Sequence, residues 1–173
     1  LELTDQAREE VLAQVAQLNS RGLRVLGVAQ KTNPSPVDAF SVKDESEMVL
    51  IGYLAFLDPP KPSTKAAIKA LNEHAVNVKI MTGDNELVTV SVAEQVGIPT
   101  DHIISGDQLV DKTNEGLREI AEKHSLFVKL NPTQKSTLVT ILRENGHVVG
   151  FLGDGINDSP ALRAADVGIS VDN

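Results

Sequence analysis

The sequence predicts an α/β fold, a doubly wound parallel sheet, preceded by a small α+β piece. Three observations point there. From residue 63 onward, short apolar stretches alternate with helical patterns, an order that gives parallel strands joined by right-handed crossovers. Two loops rich in glycine and aspartate, at 82–85 and 153–158, each follow an apolar stretch and precede a helix. The stretch ending at Leu152 is apolar and β-branched without alternation, the pattern of a strand buried on both faces.

Taken in order, Thr4 or Asp5 is expected to cap a helix running to about Asn19, with Ala7, Val11, Val15 and Leu18 on one face. Gly22 ends it, where a left-handed conformation suits glycine. Apolar stretches at 23–29 and 48–57, separated by a polar segment with Pro34 and Pro36, predict two strands joined by a loop. Asp58-Pro59-Pro60-Lys61-Pro62 excludes regular helix and central strand, because its prolines fix φ and remove amide donors. It is expected to act as a hinge at 58–62. Beyond it the pattern predicts helices at 63–74, 86–96, 113–123, 133–144 and 159–164. Strands are predicted at 76–81, 103–104, 126–128, 147–152 and 167–171.

Composition narrows the function. The formal charge is −8, which argues against nucleic acid as a partner, since that requires a basic patch. The absence of cysteine excludes disulfides, iron–sulfur clusters and thiolate zinc sites. His74, His102, His124 and His147 lack the close spacing of a zinc site. No apolar stretch approaches the roughly 18 residues a membrane span requires, so this piece is expected to be soluble. The chain opens on Leu1 without a signal peptide and looks like a segment of something longer.

In a sheet of this class, ligands bind beyond the carboxyl ends of the strands. Thr82 offers a hydroxyl there, Gly83 an unobstructed amide, and the following helix its unpaired N–H groups. Together they suit a phosphate oxygen. Asp154 and Asp158 are two hard oxygen ligands in a glycine-rich turn, matching magnesium's preference for one or two carboxylates completed by phosphate and water. Asn157 can donate to phosphate without adding negative charge. Lys135, in Asn131-Pro132-Thr133-Gln134-Lys135, falls near a helix N-terminus, where the dipole disfavours a cation. By itself it reads as a surface lysine. Its order in the chain, between a threonine loop and a Gly-Asp loop, reverses that reading.

The constellation TGDN at 82–85, Pro132-x-x-Lys135, GDGINDSPAL at 153–162 and AADVGIS at 164–170 resembles the haloacid dehalogenase-like, Rossmann-type fold. More narrowly it resembles the P-type cation-transporting ATPases. The stretches 52–61, 78–88 and 146–155 look like the bacterial magnesium-transporting subgroup. The resemblance implies phosphoryl transfer from ATP to an aspartate, with Mg2+ and ATP as cofactors and a transported cation, Mg2+, as partner. It implies that Thr82 and Gly83 bind the phosphoryl group, that Lys135 neutralises it, and that Asp154 and Asp158 ligate magnesium with Asn157 alongside. Arg24, in Gly22-Leu23-Arg24-Val25-Leu26, and Asp84 are then expected to contact the nucleotide. Residues 1–57 would be the C-terminal part of a nucleotide-binding domain. Residues 63–173 would be a phosphorylation domain lacking its N-terminal nucleophile strand. The parent would be an integral membrane protein with this part at the cytoplasmic face of the plasma membrane. The alternatives are a P-type ATPase for another cation and a haloacid dehalogenase-type phosphatase, which would need an N-terminal D-x-D.

The family's nucleophile is the aspartate of D-K-T-G-T. Asp111-Lys112-Thr113 imitates its start but continues Asn114-Glu115 and comes after Thr82. It is expected to be a helix start instead. The fragment alone is therefore expected to be inactive.

Overall fold

A computed structural model describes residues 4–39, 41–154 and 157–170. The chain divides into two compact units, Leu1–Pro59 and Pro60–Asn173.

In the first unit, α1 (Asp5–Ser20) begins at Thr4, whose Oγ1 accepts from Ala7 N at 3.2 Å. It ends where Gly22 takes φ +79° and donates its N–H to Asn19 O, a conformation that costs glycine little. β1 (Leu23–Gln30) and β2 (Val49–Leu57) pair antiparallel from Leu23↔Leu57 to Gln30↔Val49, with a bulge at Val28/Ala29. The Tyr53 hydroxyl donates to Gln14 Oε1 at 2.6 Å, tying β2 to α1. The intervening loop is organised by Asp44, which accepts from the Ser35 hydroxyl at 2.7 Å and from Ser41 N at 2.9 Å. The Ser35 bond is the main reason its carboxyl titrates below the usual range.

The second unit alternates helix and strand. It runs α2 (Thr64–Glu73), β3 (Ile80–Met81), α3 (Glu86–Val96), β4 (Ile103–Ser105), α4 (Asn114–Lys123) and β5 (Leu126–Val128). α5 (Pro132–Glu144), β6 (Gly150–Gly153), α6 (Ser159–Ala164) and β7 (Val167–Ser170) follow. Among the described residues its pairings are parallel, in the orders β3-β5-β4 and β6-β7.

β5 is the central strand, and every residue of it is fully buried. Side chains alternate across a strand, so Phe127 joins Met81, Ile104, Leu138 and Ile141 on the α4/α5 side. Leu126 joins Ile80, Ile103, Ile68 and Ala93 on the α2/α3 side. Helices thus cover both faces, as the sequence predicts for a doubly wound fold.

Two strands differ from expectation. The strand predicted over 76–81 is formed only at Ile80–Met81. Its partner β5 offers three residues, and Lys79 turns away to donate to Glu122 O and His124 O at the end of α4. Burial and the loss of hydration push the Lys79 ammonium below its ordinary value. The strand predicted over 147–152 begins at Gly150, and Leu152 is 65% exposed. The doubly buried strand is therefore β5, not this one. The reason lies in the pairing: among the described residues β6 is bonded only to β7, and β3 only to β5. The sheet is thus present as two pieces, each with an open edge. β7 matches expectation through Ser170; the last predicted residue, Val171, lies outside the described residues.

Arg143 holds α5 to the second piece. Its Nε donates to Asp166 Oδ1 at 2.9 Å and its Nη1 to Ala164 O at 2.9 Å. Asp166 Oδ2 in turn accepts from Val149 N at 2.9 Å. This backbone bond, more than the guanidinium, keeps the Asp166 carboxyl below the usual carboxylate range.

Candidate functional site

The loop after β3 is laced to the loop after β5. Thr82 N donates to Phe127 O at 2.9 Å, Leu130 N to Thr82 O at 3.0 Å, and Lys129 N to Asp84 O at 2.9 Å. Thr82 Oγ1 accepts from Asp84 N at 3.1 Å, a local turn that sets the hydroxyl and fixes the course of the chain. Asn85 then caps α3, accepting from Val88 N at 3.0 Å. Gly83 is exposed at the crest of this loop. A Cβ there would meet Leu130 O at 3.4 Å, about van der Waals contact.

The loop after β5 leads into α5 through a capping box. Asn131 Oδ1 accepts from Gln134 N at 2.8 Å, and Gln134 Oε1 accepts from Asn131 N at 3.0 Å. Pro132 takes the first helical position, where its missing N–H costs nothing. This geometry puts Lys135 in the first turn, half-buried.

From there Lys135 reaches across to the segment after β6. Its Nζ donates to Asp158 Oδ1 at 2.7 Å, and the two side chains are 14% and 13% exposed. Asp158 packs onto Gly153: a Cβ at residue 153 would stand 2.7 Å from both Asp158 Cβ and Asp158 Oδ2. Only glycine fits that contact without displacing the carboxylate. Asp154 and Asn157 are both exposed. Gly155, the second glycine of the predicted turn, lies with Ile156 outside the described residues.

The structure therefore brings Lys135 and Asp158 into direct contact and bonds the backbone of Thr82 and Asp84 to β5 and the loop that leads into α5. Arg24 lies exposed on β1 in the other unit. Asp111 is exposed in a turn ahead of α4. Thr113 is the actual cap of that helix, accepting from Gly116 N at 3.2 Å, as the helix-start reading of Asp111-Lys112-Thr113 requires. The part sequence reasoning missed is Gln134, although Asn131-x-x-Gln134 has the spacing of a capping box.

The donor set fits magnesium. Asp154 presents an exposed carboxylate, and Asp158 has one oxygen committed to Lys135 and a second beyond it. Mg2+ takes few protein carboxylates and fills its remaining positions with phosphate and water. Among the described residues no group of three or more His, Cys, Asp or Glu side chains is placed to hold a metal ion.

The chain matches the haloacid dehalogenase-like hydrolase family over residues 36–166 and the P-type ATPase, cytoplasmic domain N, over residues 1–63. Among curated proteins it is 48% identical over 155 residues to the Magnesium-transporting ATPase, P-type 1, of Escherichia coli (strain K12), covering 90% of this chain and 17% of that protein. A Magnesium-transporting ATPase, P-type 1, of Salmonella typhimurium (strain LT2) is 46% identical over 177 residues, covering 99% and 19%. The Calcium-transporting ATPase 1 of Saccharomyces cerevisiae is 33% identical over 176 residues, covering 98% and 18%. The chain thus spans less than a fifth of the length of these relatives.

Proposed function

Because the chain belongs to the haloacid dehalogenase-like hydrolase family, we propose that it is the phosphate- and magnesium-handling part of a P-type ATPase that transports magnesium. In this reading residues 1–57 end a nucleotide-binding domain, 58–62 form a hinge, and 63–173 belong to the phosphorylation domain. ATP phosphorylates an aspartate outside residues 1–173. The parent sits in the plasma membrane with this part on its cytoplasmic side.

The observation that carries the proposal is the Lys135–Asp158 contact at 2.7 Å. It joins the first turn of α5 to the end of the Gly-Asp loop, in which Asp154 and Asn157 are exposed. Phosphoryl transfer needs charge neutralisation and positioning more than covalent help from the protein. Thr82 and Gly83 hold phosphoryl oxygens through hydroxyl and amide, and Lys135 neutralises them. Asn157 donates a hydrogen bond, while Asp154 and the second oxygen of Asp158 hold the metal. Magnesium, when bound, neutralises charge on the same oxygens. Arg24 and Asp84 contact the nucleotide. The open edge of β3 suits a further parallel strand bearing the acceptor aspartate.

Magnesium is favoured as cargo by the higher identity to the magnesium-transporting relatives, 48% against 33% for the yeast calcium-transporting one. The test is phosphoenzyme formation from radiolabelled ATP in the full-length protein. We expect Lys135→Ala and Asp154→Ala to abolish it and Asp111→Asn to leave it intact. Loss in Asp111→Asn, or persistence in Lys135→Ala, would overturn the assignment. Uptake by vesicles of calcium but not magnesium would keep the ATPase and replace the cargo.

A further inference from the structure

We propose that Gln134 and Gly106 form a clamp that positions the Lys135 ammonium, making the turn at Gly106–Leu109 part of the architecture of the phosphate site. The functional weight of the clamp rests on the role given to Lys135 above.

Gln134 uses both ends of its side-chain amide. Oε1 accepts from Asn131 N at 3.0 Å, which completes the capping box, and Nε2 donates to Gly106 O at 2.8 Å. Helix capping requires only the first of these bonds. The second reaches a residue 28 positions earlier in the chain. It ties the start of α5 to the turn that follows β4.

That turn is shaped to receive it. Ser105 N donates to Gln108 Oε1 at 3.0 Å and fixes the turn's entry. Gly106 is buried, and a Cβ on it would stand 2.6 Å from Lys129 O and 2.7 Å from Gln134 Oε1. The first of those atoms is backbone and cannot swing away. Lys129 itself holds φ +51°, a left-handed conformation that a non-glycine residue adopts only when its surroundings enforce it. Its N–H is bonded to Asp84 O. One continuous set of contacts therefore runs from the Thr82–Asp84 loop through Lys129 and Gly106 to Gln134.

The need for such a device follows from where Lys135 sits. The first turn of a helix lacks intrahelical acceptors for its own amides and frays readily. A lysine there also opposes the helix dipole. Lys135 must nevertheless place its ammonium 2.7 Å from Asp158 on another segment. An anchor on the adjacent side chain fixes the rotation of that turn, and with it the direction in which the lysine leaves the helix.

The experiment is NMR detection of lysine side-chain NH3+ groups in the 173-residue chain, where only ammonium protons protected from water exchange give sharp signals. Lys79 is the internal reference, because its Nζ donates to two carbonyls at the end of α4, away from the clamp. The wild-type chain is expected to show both Lys79 and Lys135, the latter identified by its loss in Lys135→Arg. Gln134→Glu keeps an acceptor for Asn131 N but loses the donor to Gly106 O. The new carboxylate also attracts Lys135, so Gly106→Ala, which adds no charge, separates that effect from loss of the bond in Gln134→Glu. We expect roughly tenfold faster exchange at Lys135 in this variant, with Lys79 unchanged, and the same in Gly106→Ala. Should Gly106→Ala lose the Lys79 signal as well, the chain has unfolded and Gln134→Glu decides. Wild-type exchange at Lys135 in Gln134→Glu would overturn the clamp, as would absence of the Lys135 signal from the wild-type spectrum. Neither result depends on catalysis. Failure of the functional reading is recognised separately, by phosphoenzyme formation in Lys135→Ala.

Discussion

Lys135 Nζ and Asp158 Oδ1 lie 2.7 Å apart, each side chain about seven-eighths withdrawn from water. A pair this enclosed differs from a surface bridge. Water cannot take over the role of a lost partner, so removing one charge strands the other.

That asymmetry gives a first prediction. Lys135→Met alone should destabilise the chain by about 3 kcal/mol, leaving the Asp158 carboxylate buried and unpaired. Asp158→Asn combined with Lys135→Met should cost less than the sum of the two single changes. A double-mutant cycle from urea denaturation should return a coupling of about 1–3 kcal/mol. Additive single and double values would mean that the pair is not formed in solution.

Gly168 gives a second. A Cβ there would stand 2.6 Å from Leu162 O, a backbone atom in α6, whereas at Gly150 its nearest neighbour would be 3.9 Å away. Gly168→Ala should cost about 1–3 kcal/mol through forced displacement. Gly150→Ala should fall within about 0.5 kcal/mol of wild type. Thermal melts of the two variants side by side check this, and equal melting temperatures would contradict the packing of β7 on α6.

Acid stability gives a third. Asp166 titrates below its ordinary 3.8, chiefly because Val149 N donates to it. Glu122 titrates below its ordinary 4.5, chiefly because Asn145 donates to it, with His147 adding a second bond. A carboxyl with a lower value in the folded state stabilises above its unfolded value, and that contribution fades as pH falls through the folded one. The chain should therefore lose stability as pH falls below about 4.5. Asp166→Asn should be less stable at neutral pH and show a shallower acid limb. Denaturant midpoints measured from pH 7 down to about pH 3 supply the comparison. An unchanged slope would mean that Asp166 is not held as described.

The central strand gives a fourth. Phe127 is fully buried between β5 and helices α4 and α5. Phe127→Ala should destabilise by about 3–5 kcal/mol. Phe56→Ala, on a residue 47% exposed in β2, should have a far smaller effect. Chemical denaturation of both measures the contrast.

Much of the fold is written in local pattern. Thr4, Gly22, Asn85 and Thr113 sit where helices must start or stop, because capping is a short-range matter of one side chain and a few amides. The alternation of helix and strand is legible for the same reason. Strand extent is not. Residues 76–79 look as strand-like as Ile80–Met81, and 147–149 as strand-like as Gly150–Gly153. Pairing depends on what stands alongside, and among the described residues only β5, three residues long, stands beside β3.

The candidate site divides in the same way. Thr82, Gly83, Asp154, Asn157 and Asp158 stand out in the sequence because each belongs to a turn compatible with phosphate or magnesium, whereas Lys135 stands out only by its order between the two loops. The Asn131–Gln134 box was equally legible by spacing. What no spacing could reveal is that Gln134 also bonds Gly106, or that Lys135 selects Asp158 rather than Asp154.

The sequence by itself determined the fold class and the positions of the loops, and it suggested the ligands proposed for them. These follow from backbone preferences and hydrophobic period, both local. The tertiary structure alone decided which strand is buried on both faces, which carboxylate takes the lysine, and why residues 106, 153 and 168 must be glycine. Those are questions of what lies within about 3 Å across segments distant in the chain, where close packing admits one arrangement and excludes its neighbours.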